Sequence, residues 1–288
     1  MSTRAEPVTP ALLRSWPLST DADGKDDRGT VLVVGGARRT PGAAILTGLA
    51  ALRAGAGRLR LAVAESAAVA TAVAVPESGV VGLPETPGGS IRGDAATVLE
   101  ADAATADVVV VGPGLDDAGE TAVLLARLAP LLPDRTAVVL DAYALGVLAD
   151  LEDVYRRWAG RLVLTPNPTE AARLLGRDTV DIAEAVPEIA RTYRAAVTGQ
   201  GIIAEPDGGL WEVQAGNAGL GTSGSGDVLA GAVGGFLARK ATPAQAACWG
   251  TYLHATAGDR LASAVGPLSF LARELLDAVP QVLAELGP

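Results

Sequence analysis

The stretch GLGTSGSGDVLAGAVGGFL, Gly219 to Leu237, sets a run of small residues before a helix-period apolar pattern at Val228, Leu229, Ala232, Val233, Phe236 and Leu237. Glycines let successive backbone N–H groups converge on an anion, and a helix start adds partial positive charge there. Asp227 falls in the first turn of that helix. A carboxylate beside an anion site can take the proton of a substrate hydroxyl as phosphate is transferred to it. The same residues also read, with equal weight, as a Gly-rich turn followed by an acid favoured at any helix start.

A second grouping is TPNPTEAARLLG, Thr165 to Gly176, a strand end, a proline-bracketed turn and a helix. Asn167 can offer its amide to a ligand and Glu170 lies in the first helical turn. Taken alone, the grouping more often means capping: Thr169 or Asn167 caps the helix and Glu170 is favoured there by the dipole. Asp141 ends the apolar run VLDAYAL, where a carboxylate could hold Mg²⁺ through water or bond its own turn. Gly112-Pro113-Gly114 either lets a ligand approach the backbone closely or stops a strand. His254 and Cys248 read as packing residues. The spacing G-x-G-x-x-G occurs at Gly219, Gly221 and Gly224, but Thr242 to Gly250 contains no acid to receive a ribose, which argues against a dinucleotide fold. No G-x-x-x-x-G-K-[ST] occurs, so the P-loop class is excluded by motif.

Composition narrows the chemistry further. The chain has 288 residues with 33 acids against 23 bases, one histidine and one cysteine. A net charge of −10 argues against nucleic acid and against an acidic membrane surface as partners. A lone histidine and a lone cysteine leave no multi-ligand zinc site and no internal disulfide. Lys25 and Lys240 are the only lysines. The N-terminal segment carries Arg4, Glu6 and two prolines where a leader needs an apolar run, and Ala67 to Val75 is far short of the ~20 residues of a membrane span. A cytoplasmic protein is expected.

These residues need elements to position them. Short, continuous apolar runs at 31–36, 59–64, 107–114, 137–142 and 161–168 read as buried strands. Helical spacing falls at 43–54, 95–104, 121–132, 169–175 and 182–194, with three closing helices from Asp227, Pro243 and Pro267. Weaker strands at 201–205 and 210–214 flank Pro206-Asp207-Gly208-Gly209, a hairpin signal. Alternating buried strands and helices predict an α/β fold, a mostly parallel central sheet with helices on both faces and a late antiparallel hairpin. Residues 1–28 are expected to form an N-terminal arm and 29–288 a single catalytic domain. Ligands in such folds bind beyond the carboxyl ends of the strands, which is where the loops named above lie.

Taken in order, VLVVGG, PGAAILTGLAALRAGAG, GPG, LDAYAL, TPNPTEAARLLG, PDGG, GNAGLGTSGSGDVLAG and LHATAGD resemble the ADP/ATP-dependent NAD(P)H-hydrate dehydratases, a branch of the ribokinase-like superfamily. The resemblance runs from about residue 25 to the C-terminus. It implies a ribokinase-like three-layer sandwich and a repair reaction: the S-epimers of NADHX and NADPHX, hydrated on the nicotinamide ring, return to NADH and NADPH at the expense of ADP or ATP. Hydroxide is a poor leaving group and phosphate a good one, so phosphorylation followed by elimination is sensible chemistry. The resemblance places Asp227 as base and the backbone of Gly224, Ser225 and Gly226 as phosphate hole. It places Ala43, Gly114, Asn167 and Asp227 at the hydrate, and Thr198, Gly199, Gln200, Gly201, Ile202 and Gly226 at the nucleotide. Mg²⁺ would bridge the phosphates, with Asp141 and Glu170 the candidate carboxylates through water. A homo-oligomer, often a tetramer, is implied, with ADP the favoured nucleotide. The chain has no preceding domain of the kind that acts as epimerase in some relatives, so dehydration alone is expected.

Three motifs depart from the family pattern. Asn167 stands in place of a histidine, with Thr169 in place of a glycine; Tyr143 replaces a second acid; Thr198 replaces a lysine. Asparagine keeps hydrogen bonding without titrating, and Thr198 brings no charge to a nucleotide. Two other readings therefore stand beside the dehydratase: a small-molecule kinase of the same fold, and a non-catalytic nucleotide-binding relative.

Overall fold

The computed structural model describes residues 4–16, 18, 24 and 27–287. Lys25 lies outside them, so of the two lysines only Lys240 is placed. In chain order the regular elements begin with β1 (Glu6–Pro7), α1 (Pro10–Ser15), β2 (Thr30–Val34), α2 (Pro41–Arg53), β3 (Arg58–Ala64), α3 (Glu65–Ala74) and β4 (Ser78–Leu83). They continue through α4 (Glu100–Thr105), β5 (Val108–Val111), α5 (Ala118–Leu128), β6 (Ala137–Leu140), α6 (Tyr143–Leu148), α7 (Glu152–Arg157), β7 (Leu162–Leu164), α8 (Pro168–Leu174) and α9 (Ile182–Tyr193). The chain closes with β8 (Ala196–Gly199), β9 (Ile202–Ala204), β10 (Leu210–Glu212), α10 (Ser225–Ala238), α11 (Pro243–Ala264) and α12 (Ala272–Leu286).

The strands form one sheet in the order β1-β10-β9-β8-β7-β6-β5-β2-β3-β4. From β4 to β8 every pairing is parallel; β9 runs antiparallel to both β8 and β10. Side chains alternate across each strand, so Val31 and Val33 of β2 enter one core layer and Leu32 and Val34 the other. The first layer packs under α2, α10, α11 and α12, the second under α5, α6, α8 and α9. Burial on both faces is why these strands read as unbroken apolar runs. This is the mostly parallel, doubly covered sheet with a late antiparallel hairpin that the sequence predicts.

Several boundaries differ. The closing helices start at Ser225, Pro243 and Ala272, so the third begins after Pro267. The helix expected at 95–104 is a 3₁₀ turn over Gly93–Leu99 followed by α4. A hairpin before the expected one joins β8 to β9 through Gln200 and Gly201, both with positive φ (48° and 87°). That is the backbone of a tight two-residue turn. The described part of the N-terminal segment is tied to the sheet: β1 pairs with β10, and Leu13 of α1 is buried. No helix among the described residues is long and apolar enough to cross a membrane.

The strand order reverses between β2 and β5, and the loops leaving their carboxyl ends meet there. Gly36 N–H donates to Pro113 O at 2.8 Å and Ala37 N–H to Gly114 O at 2.8 Å. Such a switch point is where an open α/β sheet leaves a crevice for ligand.

Candidate active site

Helix α10 begins at the rim of this crevice. Gly224 is its N-cap, in the left-handed region at φ 89°, and makes no side-chain cap. The positive φ disfavours any residue with a Cβ here, and a Cβ would also stand 2.6 Å from Leu46 Cδ1 of α2, which would have to turn aside. Ser225 N–H bonds Thr222 O and Val228 N–H bonds Gly224 O. Among the described residues the intervening N–H groups of Gly226 and Asp227 have no protein acceptor. They are the unsatisfied donors that any helix start must direct to solvent or to an anion.

Asp227 is half-buried, and its carboxylate accepts no hydrogen bond among the described residues. Burial, with the nearby Asp141 charge adding to it, pushes its pKa up to about 7. Asp141 itself is buried and takes a 2.7 Å hydrogen bond from Thr165 Oγ1. Desolvation raises its pKa to about 6 despite that bond. The next residue, Ala142, has φ 50° and ψ −123°, a conformation that costs a residue with a Cβ about 1–3 kcal/mol. Opposite it, Gly112 has φ 125°, and a Cβ there would fall 1.8 Å from Asp141 O. The GPG turn is thus pressed against the Asp141 turn, which explains the first glycine. The third residue, Gly114, abuts Ala43: a Cβ would lie 3.0 Å from Ala43 Cβ, and Thr40 Oγ1 donates to Gly114 O at 2.8 Å. Ala43 and Gly114 therefore stand together at the switch point.

Asn167 and Glu170 bond each other. Asn167 Oδ1 accepts from Glu170 N–H and Glu170 Oε2 accepts from Asn167 N–H, both at 2.9 Å. This is a closed capping box on α8. Burial, opposed by the Asn167 N–H bond and helped by the Asp141 charge, still lifts the Glu170 pKa to about 7.

Beside these acids opens a cavity of about 830 Å³. The turn Thr198–Gly201, the segment Ala215–Ala218, Asn167, Ser225 and Gly226 contribute to its wall. Ile202 does not line it. Its size lies in the usual range for a small-molecule or cofactor site. Among the described residues no lysine or arginine lies in its wall. Thr198 is buried, its Oγ1 2.7 Å from Thr251 Oγ1. The loop entering the motif is held from α11: Asp259 accepts from Gly216 N–H and from Asn217 Nδ2, each at 2.9 Å. The sequence gives neither Asp259 nor Thr251 a role: Asp259 closes the segment LHATAGD, but nothing local ties it to the loop, which it reaches from another helix. His254, read as a packing residue, is buried but also reaches the cavity wall, 2.9 Å from Ser225 Oγ.

Among the described residues no group of three or more metal-ligating side chains converges. Any cation beside Asp141 and Glu170 must then take most of its ligands from water and phosphate, as Mg²⁺ ordinarily does. The Asp141 charge that helps raise the Glu170 pKa suits such an ion, because the ion's charge would offset that repulsion.

The profile of the NAD(P)H-hydrate dehydratase family, also named Carb_kinase, matches residues 31–281. An ADP-dependent (S)-NAD(P)H-hydrate dehydratase of Xanthomonas campestris pv. campestris is 44% identical over 293 residues, covering 98% of both chains. A bifunctional NAD(P)H-hydrate repair enzyme of Moorella thermoacetica is 39% identical over 97% of this chain, which spans 54% of that protein's length. The crystal structure of an ADP/ATP-dependent NAD(P)H-hydrate dehydratase from Bacillus subtilis, co-crystallized with ATP/Mg²⁺, matches 99% of the chain with TM-score 0.81 and 27% identity. By the profile match and the near full-length relative, this chain belongs to the NAD(P)H-hydrate dehydratase family.

Proposed function

We propose that the protein dehydrates the S-epimers of NADHX and NADPHX to NADH and NADPH, using ADP or ATP. The observation that carries the reading is a base without a hydrogen-bond partner, Asp227, in the first turn of a helix whose Gly226 and Asp227 N–H groups are free. The nucleotide occupies the cavity beside Thr198, Gly199, Gln200, Gly201 and Gly226, with Ile202 supporting that turn from outside. The hydrate lies at the switch point against Ala43 and Gly114, with Asn167 at its edge.

Asp227 takes the proton of the ring hydroxyl as that oxygen attacks the terminal phosphorus of the nucleotide. A carboxyl pKa near 7 makes it a stronger base than an ordinary aspartate while leaving it largely ionised just above neutrality. Ser225 N–H is taken by Thr222 O, so the N–H groups of Gly226 and Asp227 are the backbone donors that meet the charge developing on the transferred phosphoryl group. Loss of phosphate, with the neighbouring ring proton, restores the double bond. Asp141 and Glu170 are the side chains that would hold Mg²⁺ through water, and the ion would supply neutralisation of phosphate charge. That contribution matters more here, because the cavity wall brings no cationic side chain.

The reading extends to a cytoplasmic homo-oligomer, checked by light scattering of the purified protein. The central test incubates it with the S-hydrate, Mg²⁺, and ADP, ATP or no nucleotide. Recovery of reduced-nicotinamide absorbance with nucleotide alone supports the dehydratase. A phosphorylated product that accumulates without elimination assigns a kinase, and tight nucleotide binding without turnover assigns a non-catalytic relative.

A further inference from the structure

The only histidine of the chain is buried on α11, and a single ring atom makes both of its contacts. His254 Nε2 lies 2.9 Å from Ser225 Oγ and 3.0 Å from the backbone O of the same residue. A carbonyl oxygen can only accept, so the 3.0 Å contact places the ring proton on Nε2. With the proton on Nδ1 instead, the Nε2 lone pair would face the carbonyl lone pairs. An Nε2–H so placed is shared between Ser225 O and Ser225 Oγ. The serine oxygen then acts as acceptor toward the histidine, and its own hydrogen is left to point elsewhere. Ser225 has no other side-chain partner among the described residues and lines the cavity beside Gly226. The surroundings hold the imidazole neutral: burial lowers its pKa to about 4.

We propose that the Ser225 hydroxyl donates a hydrogen bond to a phosphate oxygen of the bound nucleotide, and that His254 is the positioning residue that turns it that way. The inference rests on the reading that phosphate docks at the start of α10, and it adds a side-chain donor to the backbone donors there. It also gives a reason for a histidine inside an apolar helix face: an apolar residue of equal size would leave the Ser225 hydroxyl without the partner that turns it toward the cavity. The cavity has no lysine or arginine in its wall, so a neutral donor locked in one direction takes a larger share of phosphate recognition.

The test measures Mg²⁺–ADP affinity by calorimetry, and dehydration kinetics, for the intact protein and for Ser225→Ala, His254→Phe, His254→Gln and the Ser225→Ala/His254→Phe pair. A hydrogen bond to a charged acceptor predicts a loss of about tenfold or more in ADP affinity for Ser225→Ala. His254→Phe should lose a similar factor, and the pair no more than about twofold beyond Ser225→Ala alone. His254→Gln, which can return an N–H to the same place, should recover most of the affinity. Unchanged ADP affinity in Ser225→Ala overturns the proposal. So do losses that multiply in the pair, or a His254→Gln protein as weak as His254→Phe. If His254→Phe fails to fold, Ser225→Ala and His254→Gln decide by the same criteria. An intact protein that binds ADP but never turns over hydrate refutes the proposed reaction and leaves this test running on affinity; an intact protein that binds no ADP overturns both.

Discussion

Helices α8 and α10 both start beneath the same crevice, and both carry an acid at the third helical position, Glu170 and Asp227. Their starts are built oppositely. At α8 the cap is Asn167, which fills the donor of Glu170, while Glu170 fills the donor of Asn167. At α10 the cap is a glycine with nothing to give, and neither the acid nor the adjacent N–H groups are bonded within the protein. The first start is complete without a ligand; the second leaves donors that only an outside anion or water can satisfy. The difference lies in the cap: a residue that accepts a hydrogen bond closes the helix start, and a glycine leaves it open.

Removing the base at α10 should have the largest effect. Asp227→Asn should lower kcat for hydrate turnover at least about a hundredfold, measured by recovery of nicotinamide absorbance. The same variant should melt higher than the intact protein at pH 8. The sign follows from linkage: the carboxyl pKa is raised to about 7 in the folded protein from an ordinary 3.8. The unfolded chain thus releases its proton first, and stability falls as pH rises from about 4 through 7. Asparagine removes that loss. A lower Tm for Asp227→Asn at pH 8 would break the idea that α10 gives up stability for chemistry.

Next in size, Gly224→Ala should cost about 1–2 kcal/mol from the left-handed backbone alone, with the Leu46 contact adding to it. It should weaken Mg²⁺–ADP binding by pushing the helix start out of place, a loss visible in calorimetry. The pH profile of the intact protein gives a third check: kcat/KM should rise with pH through about 7 and then level as Asp227 ionises. A rate that falls across that range would exclude an ionised Asp227 as base. The smallest effect belongs to α8. Asn167→Ala removes a cap worth about 1 kcal/mol, which for a domain of this size lowers Tm by about 2–4 °C, and it should change kcat/KM by less than about tenfold. An Asn167→Ala loss as deep as that of Asp227→Asn would erase the contrast between the two starts.

Much of this was legible beforehand. Unbroken Val and Leu runs marked the buried strands, because burial on both faces leaves no alternation to confuse them. Of the residues the motifs single out for a nucleotide, Thr198 to Gly201 and Gly226 do line one cavity, whereas Ile202 does not. The edge of the sheet was not legible. Helix α3 turns Val69 and Val73 outward, so its apolar pattern fits neither a helix face nor a strand, and β4 carries two glycines in six residues. Turn chemistry hid the β8–β9 hairpin, because Gln200 holds a positive φ that sequence reserves for Asn or Gly. Within the site, capping is the commoner reading of Asn167 and Glu170 in the sequence, and their reciprocal bonds show that cap. Asp227, which the sequence reads equally as a helix-start acid, makes no capping bond among the described residues. Contacts from a distant helix, such as Asp259 to Asn217 and Thr251 to Thr198, have no local signal at all.

The glycines of α10 have one more consequence. A Cβ at Gly231 would fall 2.0 Å from Thr47 O, and one at Gly235 would fall 2.5 Å from Ala51 O, so α10 lies with its backbone directly on α2. Ala43, at the head of α2, and Asp227, at the head of α10, therefore sit on two rods that share one seam. In terms of amide hydrogen exchange, these two helices form a single protection unit that opens only when the whole domain opens. On the proposed reading, substrates would then come to a frame that does not yield.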